Sequence, residues 1–343
     1  LNGGLWLADR WGRNPQAVHG ADVLTRLMAA AQSPQHAREM QELAADAIGE
    51  ALQDIAVREG FDLHRIACVL VVGNTAMLAL FTGHNYQMLL QPENWTRPID
   101  CGTPSTEFWA GRWNIHRQAL VEVVPPLAGF VGSDLLVGLV ATRFLRGAVP
   151  ALFIDFGTNS EIALWDGETL RVTSAAGGPA FESGAGFAMP AEPGAVFRVG
   201  RVGDKLDFRI LGDSRAKGVC GSGLVDLVAR LREENALTEV GNFVSGDAFR
   251  FSVGDQEMVL AKRDVDTFQR AKAAIGVGVL ALCRDAGLRT DTLQRVCVAG
   301  AFGRYLDVPS AQGVGLLPTV APEQVELVGN TALAGCADVM LSS

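Results

Sequence analysis

ALFIDFGTNSEIALWDGETLRVTSAAGGPAFE, residues 151–182, is the stretch from which the rest of the chain can be read. The apolar run Leu152 to Ile154 ends in an acid, Asp155. The backbone then turns through Gly157, Thr158 and Asn159, and a second apolar run extends from Ile162 to Trp165. Strand, tight turn, strand is the expected order. Asp166-Gly167 is the kind of pair that closes a two-residue hairpin, because both central positions of that turn need positive φ, and residues 170–174 supply a third strand. The expectation is a three-stranded meander. Its first turn puts a carboxylate at a strand end beside small residues whose N–H groups can point outward together, which suits phosphate oxygens with a hydrated metal close by. An ordinary hairpin with an acid in its turn fits the same residues, since one DxGT is a weak signal.

At 343 residues the chain is long for one core and suits two domains. With 48% hydrophobic and 20% charged residues its composition is globular. The formal charge is −9, from 38 acids against 29 bases, and no Lys/Arg cluster interrupts it, so nucleic acid is not an expected partner. The longest apolar tract, residues 66–83, is broken by Gly73, Asn74 and Thr75 and reads as a buried strand entering a turn, so no membrane span is expected. No secretion signal is recognised, and the expected location is cytoplasmic. Cysteines stand at 68, 101, 220, 283, 297 and 336 without a CxxC, which argues against a zinc, iron–sulfur or disulfide framework built from these residues. Cys68 and Cys297 fall in strand-like runs and are expected in the core. Cys220 precedes an expected helix start, where the dipole lowers a thiol pKa, although a small residue needed for packing fits the position as well.

Helical spacing begins after Ala21, with Val23, Leu24, Leu27 and Met28, and resumes after Ser33-Pro34 with Leu43, Ala47, Ile48, Ala51, Leu52 and Ile55. That second helix should end near Gly60, and the strand 66–72 should lead into Gly73. The same order recurs near the other end: a helix over 264–285, Gly287, a strand over 296–299, then Gly300, Ala301, Phe302 and Gly303. Gly60 and Gly73 are thirteen residues apart, as are Gly287 and Gly300. Matched spacing with matched element order points to a duplicated half. Each half should open with an acid-bearing hairpin, and only the second does, so the first hairpin is expected upstream of Leu1 and the chain is expected to be a fragment.

Residues 91–126 are rich in Pro, Gly and Trp with little periodicity and read as a long surface excursion, a lid or a dimer contact, in which Trp95, Trp109 and Trp113 serve packing before ligand stacking. Ser133 or Asp134 should cap a helix over 135–144. The expected domains are 1–147 and 148–343, the second with an insertion at about 188–262. Within it, 196–202 and 206–211 read as a hairpin about Gly203, and Gly218 to Gly223 runs straight into an apolar-periodic helix. Gly221, Ser222 and Gly223 at that helix start suit a phosphate or ribose, and they suit close packing of helix on sheet.

FIDFGTNSEI, SAAGGPAFE, GVCGSGLVDLVARL, QRAKAAIGVGVLAL, VCVAGAFGRYLDV and VGLLP, in that order, resemble the C-terminal part of the reductive activators of corrinoid proteins. VVGNTAM and PPLAGFVGSD resemble that family's preceding domain, so the likeness covers nearly the whole chain. The family belongs to the superfamily of acetate and sugar kinases, heat-shock chaperones and actin. The implied fold class is α/β: two ribonuclease-H-like lobes around a nucleotide cleft, the first incomplete at its N-terminus.

The implied activity is ATP-dependent reduction of a corrinoid protein of a methyltransferase system from Co(II) to Co(I), with electrons from a 2Fe-2S ferredoxin-type cluster in an N-terminal domain that these residues do not include. By resemblance, Asp155 orients Mg²⁺ or its waters, and the turn Gly157, Thr158 and Asn159 holds the β- and γ-phosphates of ATP. Gly177, Gly178 and Pro179 lie near the phosphates, and Gly300, Ala301, Phe302 and Gly303 let the purine lie against backbone. Glu182 fits a water-orienting carboxylate or a structural salt bridge. A homodimer is usual for such relatives. This chain departs from the pattern in lacking the ferredoxin cysteines and the first phosphate hairpin, and in having Ser160 where many relatives have Gly. The rival classes are an ATP-dependent activase of a radical dehydratase, a small-molecule kinase of the same superfamily, and a nucleotide-independent binding module.

Overall fold

The structure, a computed structural model, describes residues 5–20, 22–102, 105–157, 159–177, 181, 186–203 and 205–342, and of residues 301 and 302 the backbone alone. Contacts divide the chain into two compact units, Leu1–Ala141 together with Thr331–Ser343, and Thr142–Asn330.

In the first unit, α1 (Val23–Gln32) starts at Asp22, whose carboxylate accepts from Thr25 N while the Thr25 hydroxyl oxygen accepts from Asp22 N. Ser33 caps α2 (Pro34–Glu59), with Pro34 where a missing N–H costs nothing, and Gly60 at φ +67° ends it. Next come β1 (Cys68–Val71), the almost wholly buried α3 (Thr75–Thr82), α4 (Thr106–Trp113), β2 (Leu120–Val123) and α5 (Ser133–Ala141). β1 and β2 pair in parallel, and among the described residues they form a sheet of two strands.

The tract 91–126 is a surface excursion only in its first part, where Trp95 is 45% exposed. It holds α4 and β2, and Trp109 and Trp113 are 2% exposed, stacked with Phe81 at ring distances of 4.8 and 6.5 Å. The Trp113 indole donates to Ala45 O (2.8 Å), so a tryptophan-rich stretch of weak periodicity is half of a core. The two motifs that carry the likeness in this unit meet each other. Ser133 N donates to Gly73 O (3.0 Å), Gly73 N donates to the Ser133 hydroxyl (3.2 Å), and a Cβ at Gly132 would strike Gly73 O and Asn74.

The second unit begins with the expected meander, β3 (Ala151–Phe156), β4 (Ser160–Trp165) and β5 (Leu170–Ala175). The turn between β4 and β5 differs from expectation. It spans four residues, Gly167 has φ +105°, and Asp166 instead accepts from Glu168 N (2.9 Å) and Thr169 N (2.7 Å) with Arg171 beside it. A short side chain that bonds the backbone ahead of it closes the turn without positive φ at its own position.

The insertion carries β6 (Ala195–Val202), β7 (Lys205–Ile210), β8 (Gly218–Val219), α6 (Gly221–Glu233), and a hairpin of β9 (Ala248–Val253) and β10 (Gln256–Ala261) about Gly254. The chain returns through α7 (Lys262–Asp285), which packs on β4 and β5, to β11 (Arg295–Ala299), α8 (Gly300–Gly303), α9 (Val308–Gly313) and β12 (Val325–Gly329). The sheet order is β12-β11-β3-β4-β5, with β12, β11 and β3 parallel and the meander antiparallel.

The duplicated order holds. α2, Gly60, β1, α3, β2 and α5 are matched by α7, Gly287, β11, α8, β12 and a last helix, α10 (Thr331–Ser342), and both Gly60 and Gly287 stand at φ +67°. The chain is α/β, with two units built on one repeated plan.

α10 belongs to the first unit, where it lies along α5. The approach is set by Gly335, where a Cβ would collide with the Val137 backbone carbonyl. Gly335→Ala is expected to cost about 1–3 kcal/mol through overpacking. The loss should read as a lower Tm and as earlier proteolytic release of the C-terminal segment.

Candidate functional site

β3 and β11 are parallel neighbours whose chains leave in opposite directions, β3 into β4 on one side and β11 through α8 toward β12 on the other. In open α/β sheets such a reversal leaves a crevice beyond the carboxyl ends of the strands, where ligands bind. Asp155 stands at that end of β3, opposite Ala299 of β11 and Glu161 of β4, and Gly300 follows Ala299 directly. Residues far apart in sequence, Asp155 and the Gly300–Gly303 turn, are thereby brought together.

Gly300 stands at φ +87°, and a Cβ there would press on Phe156 O and lie 2.9 Å from Asp155 Oδ1. A side chain at this position would be strained in backbone and would displace the carboxylate. Gly303 is tight for a similar reason, its Cβ position lying 2.8 Å from Val298 O. Gly157 and Asn159 form the bend after β3, and a Cβ on Gly157 would be 3.1 Å from Asn159 O. Gly177 donates its N–H to Ala175 O (2.8 Å) just beyond β5. Thr158, Gly178, Pro179 and Glu182 lie outside the described residues, as do the side chains of Ala301 and Phe302.

Sequence reasoning passed over Glu161. Directly opposed residues of an antiparallel pair share a face, so Glu161 stands beside Asp155 and next to Ser174, and it is 6% exposed. The period-two alternation of EIALW contained that signal. Ser160 belongs to β4, not to the turn, and faces the other way with Phe156 and Ile162. Its hydroxyl is buried and makes no hydrogen bond.

Gly221, Ser222 and Gly223 open α6, which touches α8, but all three are buried. A Cβ at Gly223 would strike Val196 O, and the Ser222 hydroxyl donates to Phe197 O (2.9 Å). Of the two sequence readings, these contacts are those of a helix packed closely onto β6. Cys220, the residue before the helix, is 2% exposed with its sulfur 3.3 Å from the Ser222 oxygen.

Among the described residues no three His, Cys, Asp or Glu side chains are grouped to hold a metal ion. A Mg²⁺ that enters with phosphates needs only one or two protein carboxylates, which the Asp155 row can supply. The cysteines are not grouped for an iron–sulfur cluster: all six are separate free thiols. Among the described residues no helix is long and apolar enough to cross a membrane.

Two substitutions test this geometry. Gly300→Ala is expected to destabilise the protein by at least about 1 kcal/mol from φ strain alone and to move the Asp155 carboxylate, which a crystal structure or the Asp155 carboxyl NMR signal would register. Ser160→Ala removes an unsatisfied buried hydroxyl and should raise stability by about 1 kcal/mol, a gain of about 2–4 °C in Tm.

Residues 150–343 match the family described as the C-terminal domain of RACo, the ASKHA domain, and residues 1–146 match the RACo middle region. The chain is 31% identical over 365 residues to the corrinoid activation enzyme RamQ of Eubacterium limosum, across 96% of this chain and 59% of that protein. It is 26% identical over 334 residues to the [Co(II) methylated amine-specific corrinoid protein] reductase of Methanosarcina barkeri, across 88% of this chain and 60% of that protein. A solved structure titled a reductive activator for corrinoid, iron-sulfur protein superposes with a TM-score of 0.83 at 28% identity, covering 98% of this chain and 57% of that one. The chain thus spans about three-fifths of the length of the curated relatives it matches.

Proposed function

The chain belongs to the RACo family, carrying its middle region and its C-terminal ASKHA domain, and from that premise we propose that the full protein uses ATP to drive reduction of a corrinoid protein from Co(II) to Co(I). The observation that carries the ATP part of the reading is the meeting of Asp155 with the side-chain-free Gly300 at the β3–β11 crevice. A carboxylate at the mouth of the crevice orients a hydrated Mg²⁺. The N–H groups of the turn after β3 take phosphate oxygens, and the backbone of Gly300–Gly303 accepts the nucleoside. The metal, when bound with nucleotide, offsets charge on the phosphates. The work of this chain's residues is to hold the phosphates in line and keep a place for the attacking water.

On this reading the electrons come from a two-iron cluster carried elsewhere in the protein. The partner is a corrinoid protein of a methyltransferase system, and the working form is a homodimer in the cytoplasm. The names of the relatives, an activation enzyme and a corrinoid protein reductase, support this class of reaction over phosphorylation of a small molecule or activation of a dehydratase. A dehydratase activase would present a cysteine for a shared cluster, whereas Cys220 is enclosed beside Ser222.

The deciding experiment mixes the full-length protein with candidate Co(II) corrinoid proteins, ATP and a low-potential reductant and follows Co(I) absorbance. ATP-dependent growth of that band is expected, and an unchanged spectrum with every candidate overturns the reading. Asp155→Ala should lower ATP turnover by about 10²-fold or more with an unchanged circular dichroism spectrum and Tm. Normal turnover in that variant would remove the carboxylate from the mechanism.

A further inference from the structure

Asp226 lies in the first half of α6 among Leu224, Val225, Leu227 and Val228, all buried, and is itself 1% exposed. Its Oδ2 accepts from Val199 N (3.0 Å) and lies 3.7 Å from Arg198 Nε of β6. Its Oδ1 is buried without a hydrogen bond. The Ser310 hydroxyl of α9 is in reach of this carboxyl, but a serine has one proton to give, and Ser310 gives it to Asp307 Oδ2 (2.7 Å) while accepting from Arg230 Nη2 (3.2 Å).

Arg198 is shared, its Nη1 pairing with Asp307, the N-cap of α9. The charged groups facing Asp226 are thus Arg198 from β6, Asp307 from α9 and, one turn along α6, Arg230. The Arg230 Nη1 is taken by Glu233 (2.7 Å), and its Nε is buried without a partner.

One cation stands between two carboxylates, and the two are not equivalent. Burial pushes Asp226 up to about 6 against the pull of the Val199 amide, Arg198 and the nearby Ser310 hydroxyl, with Asp307 adding to the rise. Burial acts on Asp307 too, but its bonds from Ser310 and Arg198 outweigh it and hold this carboxyl below the usual range. A proton arriving from solvent therefore goes to Asp226.

We propose that Asp226, Arg198, Ser310 and Asp307 form a proton-operated latch that fastens α9 to α6 and β6. Ionised, Asp226 leaves Oδ1 as a buried acceptor without a donor and draws Arg198 away from Asp307. Protonated at Oδ1, it donates to the second lone pair of Ser310 Oγ, and Arg198 is released wholly to Asp307. The chain of donors then runs unbroken from α6 through Ser310 to the α9 cap. Because the folded-state affinity for this proton exceeds the unfolded one, the stabilisation is complete below about pH 4, the unfolded value, and is lost as pH rises through about 6. α9 follows closely on Gly303, so the latch governs how firmly the chain leaving α8 is held, whatever the β3–β11 crevice binds.

Hydrogen exchange by mass spectrometry on the full chain, corrected for intrinsic rates, reads the latch directly. Amides of residues 307–317 should be about fourfold better protected at pH 5.5 than at pH 7.5. Asp226→Asn, whose amide keeps the Val199 bond and can donate to Ser310, should hold the protected level at both pH values. It should also raise Tm at pH 7.5, with the gain shrinking as pH falls through about 6 and vanishing only below about pH 4. Equal protection of the wild type at the two pH values, or a pH-independent Tm difference between the proteins, overturns the proposal. If Asp226→Asn does not fold, Ser310→Ala takes its place: it removes the acceptor and should weaken the pH dependence in α9, and a dependence as large as the wild type's overturns the latch.

Discussion

The arrangement of the second unit depends on one missing side chain. Gly300 lets the turn after β11 lie against the Phe156 carbonyl and the Asp155 carboxylate, at a φ of +87° that an L side chain resists. Parallel pairing of β3 with β11 brings the two strand ends level, and only a glycine lets the exits of both strands pass each other there. Everything between, from β6 to β10, is inserted after β5 and returns through α7 without adding a strand to the five-stranded sheet. The insertion can therefore carry its own packing and charge network while the crevice keeps its geometry.

The first unit repeats the plan with different means. Where the second unit uses glycine against a carboxylate, the first locks the exit of β1 with paired hydrogen bonds between Gly73 and Ser133, and a glycine at 132 clears the space. The motifs VVGNTAM and PPLAGFVGSD are thus two sides of one contact. On the proposed reading the division of labour follows from the donor groups available. This chain offers amides, small residues and carboxylates suited to phosphates, and thiols that stand apart from one another.

The polar groups left inside the second unit differ in kind. Ser160 is a buried hydroxyl on the face of Phe156 and Ile162, and among the described residues nothing bonds it. Asp226 is embedded in a chain of donors and acceptors joining three elements, so its unsatisfied oxygen is the open link of a network. A lone orphan costs stability and little else, while an orphan inside a network can be relieved by a single proton.

Much of the framework was legible in the amino-acid sequence because it rests on local rules. Gly60 and Gly287 end helices by adopting positive φ. Strand alternation gave the meander and the β6–β7 hairpin, and equal glycine spacing betrayed the repeat. The β9–β10 hairpin carried the same kind of signal around Gly254 and was overlooked. Three features were beyond local rules, since each is decided by partners distant in the chain. Trp109 and Trp113 are core because Phe81 and Ala45 meet them. Gly335 matters because Val137 stands against it. Asp226 has a raised proton affinity because packing of α6 buries it and Asp307, distant in the chain, adds to the rise, against the pull of Arg198. Backbone conformation and periodicity are properties of neighbouring residues and can be read in order, whereas desolvation and charge pairing exist only once the chain has closed on itself.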